Sequence, residues 1–188
     1  MIPDNRAFKG RETFEENGKT FYRSYKFDRI GKSRLTITIV SINSTYRQAI
    51  AFSLSSKPKF KGCLFINGER FLQEKKQQNY VMAVDLLDKV EIIMDLELQE
   101  GYLRLSNASD FLDDYPELIE QISTQTGRMR EQFRGCSYTS GFSAGFLYGN
   151  AFWMEQISDT RYRFHCNDHK LDDDFDDLIF DLEISPAI

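Results

Sequence analysis

Short segments with apolar residues at alternate positions run through most of this chain, and a period of two belongs to strands rather than helices. FYRSYKF sets Phe21, Arg23, Tyr25 and Phe27 against Tyr22, Ser24 and Lys26, while RLTITIVSI, Arg34 to Ile42, alternates with β-branched weight. Both are expected strands, with Gly31-Lys32-Ser33 as the turn between them. AIAFSLS continues the pattern as far as Lys57-Pro58, where proline withdraws a backbone donor. CLFINGERFL carries the sharpest local signal: Asn67-Gly68 separates two apolar runs, and both residues accept the positive φ of a type I′ hairpin turn. YVMAVDL, KVEIIMDLEL and YLRLS follow as strands, the last two expected to form a hairpin through Gln99-Glu100-Gly101.

One helix interrupts the series. DDYPELIEQISTQT offers Asp113 or Asp114 as a cap, Pro116 in the first turn and Tyr115, Leu118, Ile119 and Ile122 along one stripe, which predicts an α-helix near residues 113–126. Strand character returns in SYTSGFSAGFLYG, NAFWMEQI, TRYRFHC and DLIFDLEI. In the last, Leu178, Phe180, Leu182 and Ile184 share one face against Ile179, Asp181 and Glu183, as in a half-buried strand. So many short strands around one helix predict a mostly β fold, an antiparallel, jelly-roll-like β-sandwich. The polar, weakly patterned residues 1–15 are read as a flexible arm and residues 16–188 as a single domain.

A chain of 188 residues with 41% hydrophobic residues, 16 Phe and 9 Tyr has enough apolar side chain for its own core. No apolar stretch reaches the length of a membrane helix, and the N-terminus shows no secretory pattern. Cys63, Cys136 and Cys166 form an odd set without CxxC spacing, which suits reduced thiols in core positions and a cytoplasmic setting. The net charge of −5 is local: from Asp168 to Glu183 eight carboxylates face only Lys170, which gives −7 and leaves +2 for the rest. A body so weakly charged argues against nucleic acid as a partner, because phosphate binding gathers Lys and Arg on one face.

The acidic segment is the chemically unusual part. Asp172, Asp174 and Asp176 alternate, so an extended or looped backbone aims them at one point, and hard carboxylate oxygens are what calcium takes. Asp172, Asp174, Asp176 and Asp177 are therefore the candidate metal ligands. An EF-hand does not fit, since Asp177 stands where the loop's sharp turn needs Gly. DDDFDDLIFDLEI resembles the acidic Asp-Phe-Asn-Asp segment and following terminal strand of certain bacterial β-sandwich domains of extracellular proteins. That resemblance implies calcium; Asp174, Phe175, Asp176 and Asp177 carry over, with Asp176 where the pattern has Asn. In the front half, a strand ending in LFING followed by YVMAVDL is similar to sugar-binding β-sandwich modules attached to glycosidases, which implies a fold and no ligand residues.

The other candidates are ligand-binding residues. Trp153, the sole Trp, sits beside Phe152 in NAFWMEQI, so on a strand one of the two rings points outward, as a sugar platform or contact surface, unless both lie between sheet and helix. Glu155 facing Asp174 or Asp176 across a cleft would suit glycoside hydrolysis, and His165, Asp168 and His169 surround Cys166 without a four-ligand zinc spacing or a nucleophile signature. Gly141, Gly145 and Gly149 lack the context of a phosphate loop. The ligand-binding candidates are Trp153, Glu155, His165 and Asp168, and three classes of function follow: a non-enzymatic binding module using the loop from Asp168 to Asp177; a carbohydrate-binding or carbohydrate-active domain using Glu155, Trp153 and one of the loop aspartates; and a structural or oligomerisation subunit.

Overall fold

A computed structural model of the chain describes residues 12–28, 30–54, 64–66, 69–71, 79–83, 91–98, 102–110, 151–168 and 174–186. These residues form thirteen strands and, among the described residues, no helix: β1 (Thr13–Glu16), β2 (Lys19–Tyr22), β3 (Tyr25–Asp28), β4 (Gly31–Ile42), β5 (Arg47–Leu54), β6 (Leu64–Ile66), β7 (Glu69–Phe71), β8 (Asn79–Ala83), β9 (Glu91–Leu98), β10 (Tyr102–Asp110), β11 (Ala151–Gln156), β12 (Arg161–Asn167) and β13 (Leu178–Pro186). They lie in a nine-stranded sheet of order β1-β2-β11-β12-β13-β4-β9-β6-β7 and a four-stranded sheet of order β3-β10-β5-β8. Every pairing is antiparallel. The fold is therefore mostly β, as the period-two pattern requires. The helix expected near residues 113–126 lies outside the described residues, as do residues 1–11 of the arm; its residues 13–15 belong to β1, which pairs with β2.

One hydrophobic cluster draws on both sheets. Phe27, Ile50, Phe52, Leu103 and Leu105 come from the four-stranded sheet, and Leu35, Ile37, Phe152, Phe164, Leu178, Phe180 and Leu182 from the nine-stranded one. Phe52, Phe152, Phe164 and Phe180 are fully buried, and each such side chain contributes about 1.5–3 kcal/mol relative to exposure. Phe164 and Phe180, cross-strand partners on β12 and β13, stack with centroids 4.6 Å apart. The face of β13 expected to be buried is the buried one: Leu178, Phe180 and Leu182 are in the cluster and Ile184 packs against it.

β6 and β7 pair as the expected hairpin requires, Leu64 opposite Phe71 and Ile66 opposite Glu69, while the turn residues Asn67 and Gly68 lie outside the described residues. Three local expectations need correction. FYRSYKF is two strands: Tyr22 and Tyr25 both pack on the shared core, which an unbroken alternation forbids for positions three apart, and the chain passes from one sheet to the other at Arg23-Ser24. Gly31-Lys32-Ser33 belongs to β4, paired to Leu98, Glu97 and Leu96; only Gly31, at φ +60°, has turn geometry. β9 and β10 are not a hairpin, because β4 and β6 occupy the two edges of β9 while β3 and β5 occupy those of β10.

A bulge in β4 completes the frame. Ile179 pairs with Ser41 and Phe180 with Ile39, so Val40 is extra, and it is 48% exposed. The added residue lets Ile39 and Ile42 both reach the core despite their odd spacing. The same shift delivers residues 43 and 44 to the segment that leads into β13.

Candidate functional site

The acidic loop is tied down from three sides before β13 begins. Phe175 adopts φ +55°, unusual for a bulky residue, and buries its ring 4.9 Å from Phe21 in a small second cluster with Ala151. Asp177, 5% exposed, accepts the Asp168 N–H through Oδ2 at 2.7 Å, and its carbonyl accepts the N–H groups of Asn43 and Ser44 at 3.0 and 3.3 Å. Asn43 Nδ2 donates to the Asp176 carbonyl, and the Ser44 hydroxyl donates to Asp168, which is fully buried. Asp174 stays exposed and accepts the Asp176 N–H at 3.3 Å. Burial and the facing charge of Asp174 push the Asp176 carboxyl up.

The expected metal ligands thus divide. Asp177 points inward as a structural acceptor, Asp174 and Asp176 face each other, and Asp172, like His169, lies outside the described residues. Among the described residues no three His, Cys, Asp or Glu side chains gather as a metal cluster. Behind the loop, the core-facing side of the four-stranded sheet turns from apolar to polar: Leu103 and Leu105 give way to Asn107 and Ser109 on β10, and Phe52 and Ile50 to Gln48 on β5. Asn107 donates to the Asn167 carbonyl at 2.8 Å, and Gln48 donates to the Tyr46 carbonyl. Sequence reading ended the YLRLS strand at Ser106 and so missed this patch; the polar residues at the alternate positions 107 and 109 were its signal.

On the outward face of the nine-stranded sheet, Trp153 stands against His165, its cross-strand partner, with ring centroids 4.0 Å apart and nearly parallel planes. The Lys19 ammonium lies 3.7 Å from the centre of the Trp153 ring. β11 runs between β2 and β12, so these two neighbours reach the indole from opposite sides, and Trp153 also packs against the second cluster of Phe21, Ala151 and Phe175. Phe152 is the inward ring of the pair, fully buried. Glu155 Oε1 is 3.7 Å from His165 Nε2, beyond hydrogen-bond reach, and burial, helped by the charges of Arg163 and Lys19, holds the imidazole below its usual range. Arg161 and Arg163 clamp Asp181 at 2.6 and 2.7 Å next to this group.

At the end of the molecule away from the acidic loop, a groove of about 640 Å³ opens between the sheets. Its walls are Tyr25 to Asp28 of β3, Ile30, Lys32 and Ser33 at the start of β4, Asp159, Thr160 and Tyr162 before and within β12, and Ile184 to Pro186 of β13. Aromatic contacts fix the floor: Phe27 meets Tyr25 at 4.7 Å and Tyr162 at 5.2 Å, both edge-on. Burial, with Tyr22, Tyr162 and Asp28 nearby, pushes the Tyr25 phenol up and keeps it protonated as a donor. The aromatic alternation of FYRSYKF was visible in the sequence, but nothing there shows Tyr162, Ile184 and Pro186 arriving opposite it.

No family model, curated protein or solved structure matches this chain. The chemistry of the sites must therefore be judged from their own geometry.

Cys166 and His165 cannot act together, because adjacent residues of β12 face opposite ways: Cys166 is fully buried in the core and its thiol is pushed well up by that burial. Glu155 pairs with Arg163, four residues along β11 from Ala151, the residue that packs with Phe175. Glu155 and His165 lie beside Trp153 on the sheet's outward face, where the cluster that holds Phe175 also meets Trp153, whereas Asp168 is fully buried.

Proposed function

We propose that this chain is a non-enzymatic binding module on a single antiparallel β-sandwich, with the groove beside β3 as its ligand site. The observation that supports it is the groove itself: its volume falls in the range of small-molecule and segment-binding sites, and its walls come from both sheets. Phe27 and Ile30 belong to the shared core, so the groove's floor is held in shape before any ligand arrives. Two lysines, Lys26 and Lys32, and two aspartates, Asp28 and Asp159, balance around it, which favours a neutral ligand over nucleic acid or a membrane surface. The cytoplasmic setting, argued from an odd cysteine set without CxxC spacing, belongs to the same proposal.

The test exposes the full chain to a peptide array and a glycan array, beside the variants Thr160→Trp and Lys32→Trp, which fill the groove from exposed positions. Binding that both variants abolish at unchanged melting temperature supports the reading; binding indifferent to both, or silence on both arrays, contradicts it. A chain silent on both arrays but dimeric in light scattering is the structural subunit considered above.

A second reading has its own observation. Asp174 and Asp176 face each other, and a divalent cation relieves that repulsion at the acidic end. Two carboxylates supply fewer oxygens than the roughly six to eight that calcium takes, so the expected affinity is weak. Calorimetric titration with calcium after chelation, repeated on Asp174→Asn with Asp176→Asn, decides it: heat in the parent that vanishes in the variant supports the site, and no heat in the parent removes it.

A further inference from the structure

We infer that the groove takes an extended peptide segment, which adds as a strand along the edge of β3 that has no partner among the described residues. This rests on the groove's being the ligand site and says what fills it. Four consecutive residues, Tyr25 to Asp28, line the groove, and consecutive residues of a strand put side chains on both faces of a sheet. Only a groove that runs along the strand's edge meets all four. The other edge of β3 is taken by β10, whose residues contribute nothing to the lining. Among the described residues β3 has no further strand partner, so it is the terminal strand of the four-stranded sheet.

An edge of this kind presents backbone N–H and C=O groups at alternate residues, and another backbone is the partner that satisfies them in series. A sugar or a small aromatic would leave them to water. The far wall supplies the rest of what strand addition uses. Tyr162 and Ile184 pack against the core and stand ready to cover every second side chain of an added strand, while Lys26 and Asp28 lie on the outward face and pair with each other at 2.8 Å. The expected ligand is therefore a segment with alternating apolar and polar residues and no net charge. The edge is only four residues long, too short to template a long run of pairing with a second copy of the chain.

The experiment uses the full chain and a library of seven-residue peptides with alternating apolar and polar positions. The best binder is then resynthesised with N-methyl groups on one alternate set of its amides or on the other, and amide exchange of Tyr25 to Asp28 is followed with and without it. Strand addition predicts that one methylated set weakens binding at least about tenfold while the other leaves it nearly unchanged, and that alternate amides of β3 become protected. Equal sensitivity to the two sets, or no protection in β3, overturns the inference. If no peptide binds but a glycan does, and Thr160→Trp blocks it, the peptide is overturned and the groove stands; if nothing binds in a manner Thr160→Trp blocks, both fall.

Discussion

The two ends of the fold use their polar residues in opposite ways. At the acidic end the backbone is closed: Asp177 holds the N–H of Asp168, its carbonyl holds Asn43 and Ser44, and Phe175 pins the loop to Phe21. At the groove end the edge of β3 has no strand partner among the described residues, and it lies beside Tyr162 and Ile184, with charges that cancel. Two of the acidic segment's carboxylates, Asp168 and Asp177, thus serve to fasten a loop, whereas a space of ligand size is lined by residues of ordinary identity. Concentrated charge and available surface are separate things, and in this molecule they lie at opposite ends.

The contrast breaks most sharply at Asp177. Asp177→Ala strips a buried N–H of its charged acceptor and is expected to lower stability by about 2–3 kcal/mol in urea denaturation, while Thr160→Trp at the other end stays within about 0.5 kcal/mol. Equal losses at both positions would mean that the ends are fastened alike. Next comes Phe175→Ala, which removes the ring packed on Phe21 and is expected to cost about 2 kcal/mol, less than a central core phenylalanine because the second cluster is small. Proteolysis near residues 168–177 should quicken in that variant and leave the β3 edge untouched.

Smaller effects sharpen the picture through pH. Burial opposes ionisation of Asp181, but the hydrogen bonds and charges of Arg163 and Arg161 outweigh it and hold the carboxyl below its usual range. A folded value below the unfolded one means stability that is present at neutral pH and lost as pH falls from about 4 through the folded value. Asp181→Asn should remove that acid-limb slope and cost about 1–2 kcal/mol at pH 7, a figure reduced because both arginines reach solvent. His165 gives the smallest change: its imidazole is also held low, so the parent loses stability as pH falls below about 6.5, and His165→Phe should flatten that stretch of the curve. A profile unchanged by the substitution would show that the stack on Trp153 carries no pH dependence.

Strand identity was legible wherever one face is buried. Leu178, Phe180 and Leu182 announce β13, and Asn67-Gly68 fixes a hairpin register of Leu64 with Phe71. Sheet membership was not legible, because an edge already taken leaves no mark on the strand that might have used it; β9 and β10 look like a hairpin in sequence and lie in different sheets. The same limit governed the candidate site. Asp174, Asp176 and Asp177 were easy to single out as acids, yet only the fold turns Asp177 inward while Asp174 stays in water. Trp153 was expected to alternate with Phe152 and does, but the Lys19 and His165 that cover its faces come from two other strands.

The account stands or falls on where a ligand meets the fold, and an amide chemical-shift map of the full chain titrated with the best array ligand reads that directly. The expected result is a set of perturbed amides at Tyr25 to Asp28, Thr160 and Ile184, with Asn43, Ser44 and Asp174 to Asp177 unmoved. Shifts concentrated at those last residues, with the β3 edge silent, would contradict it.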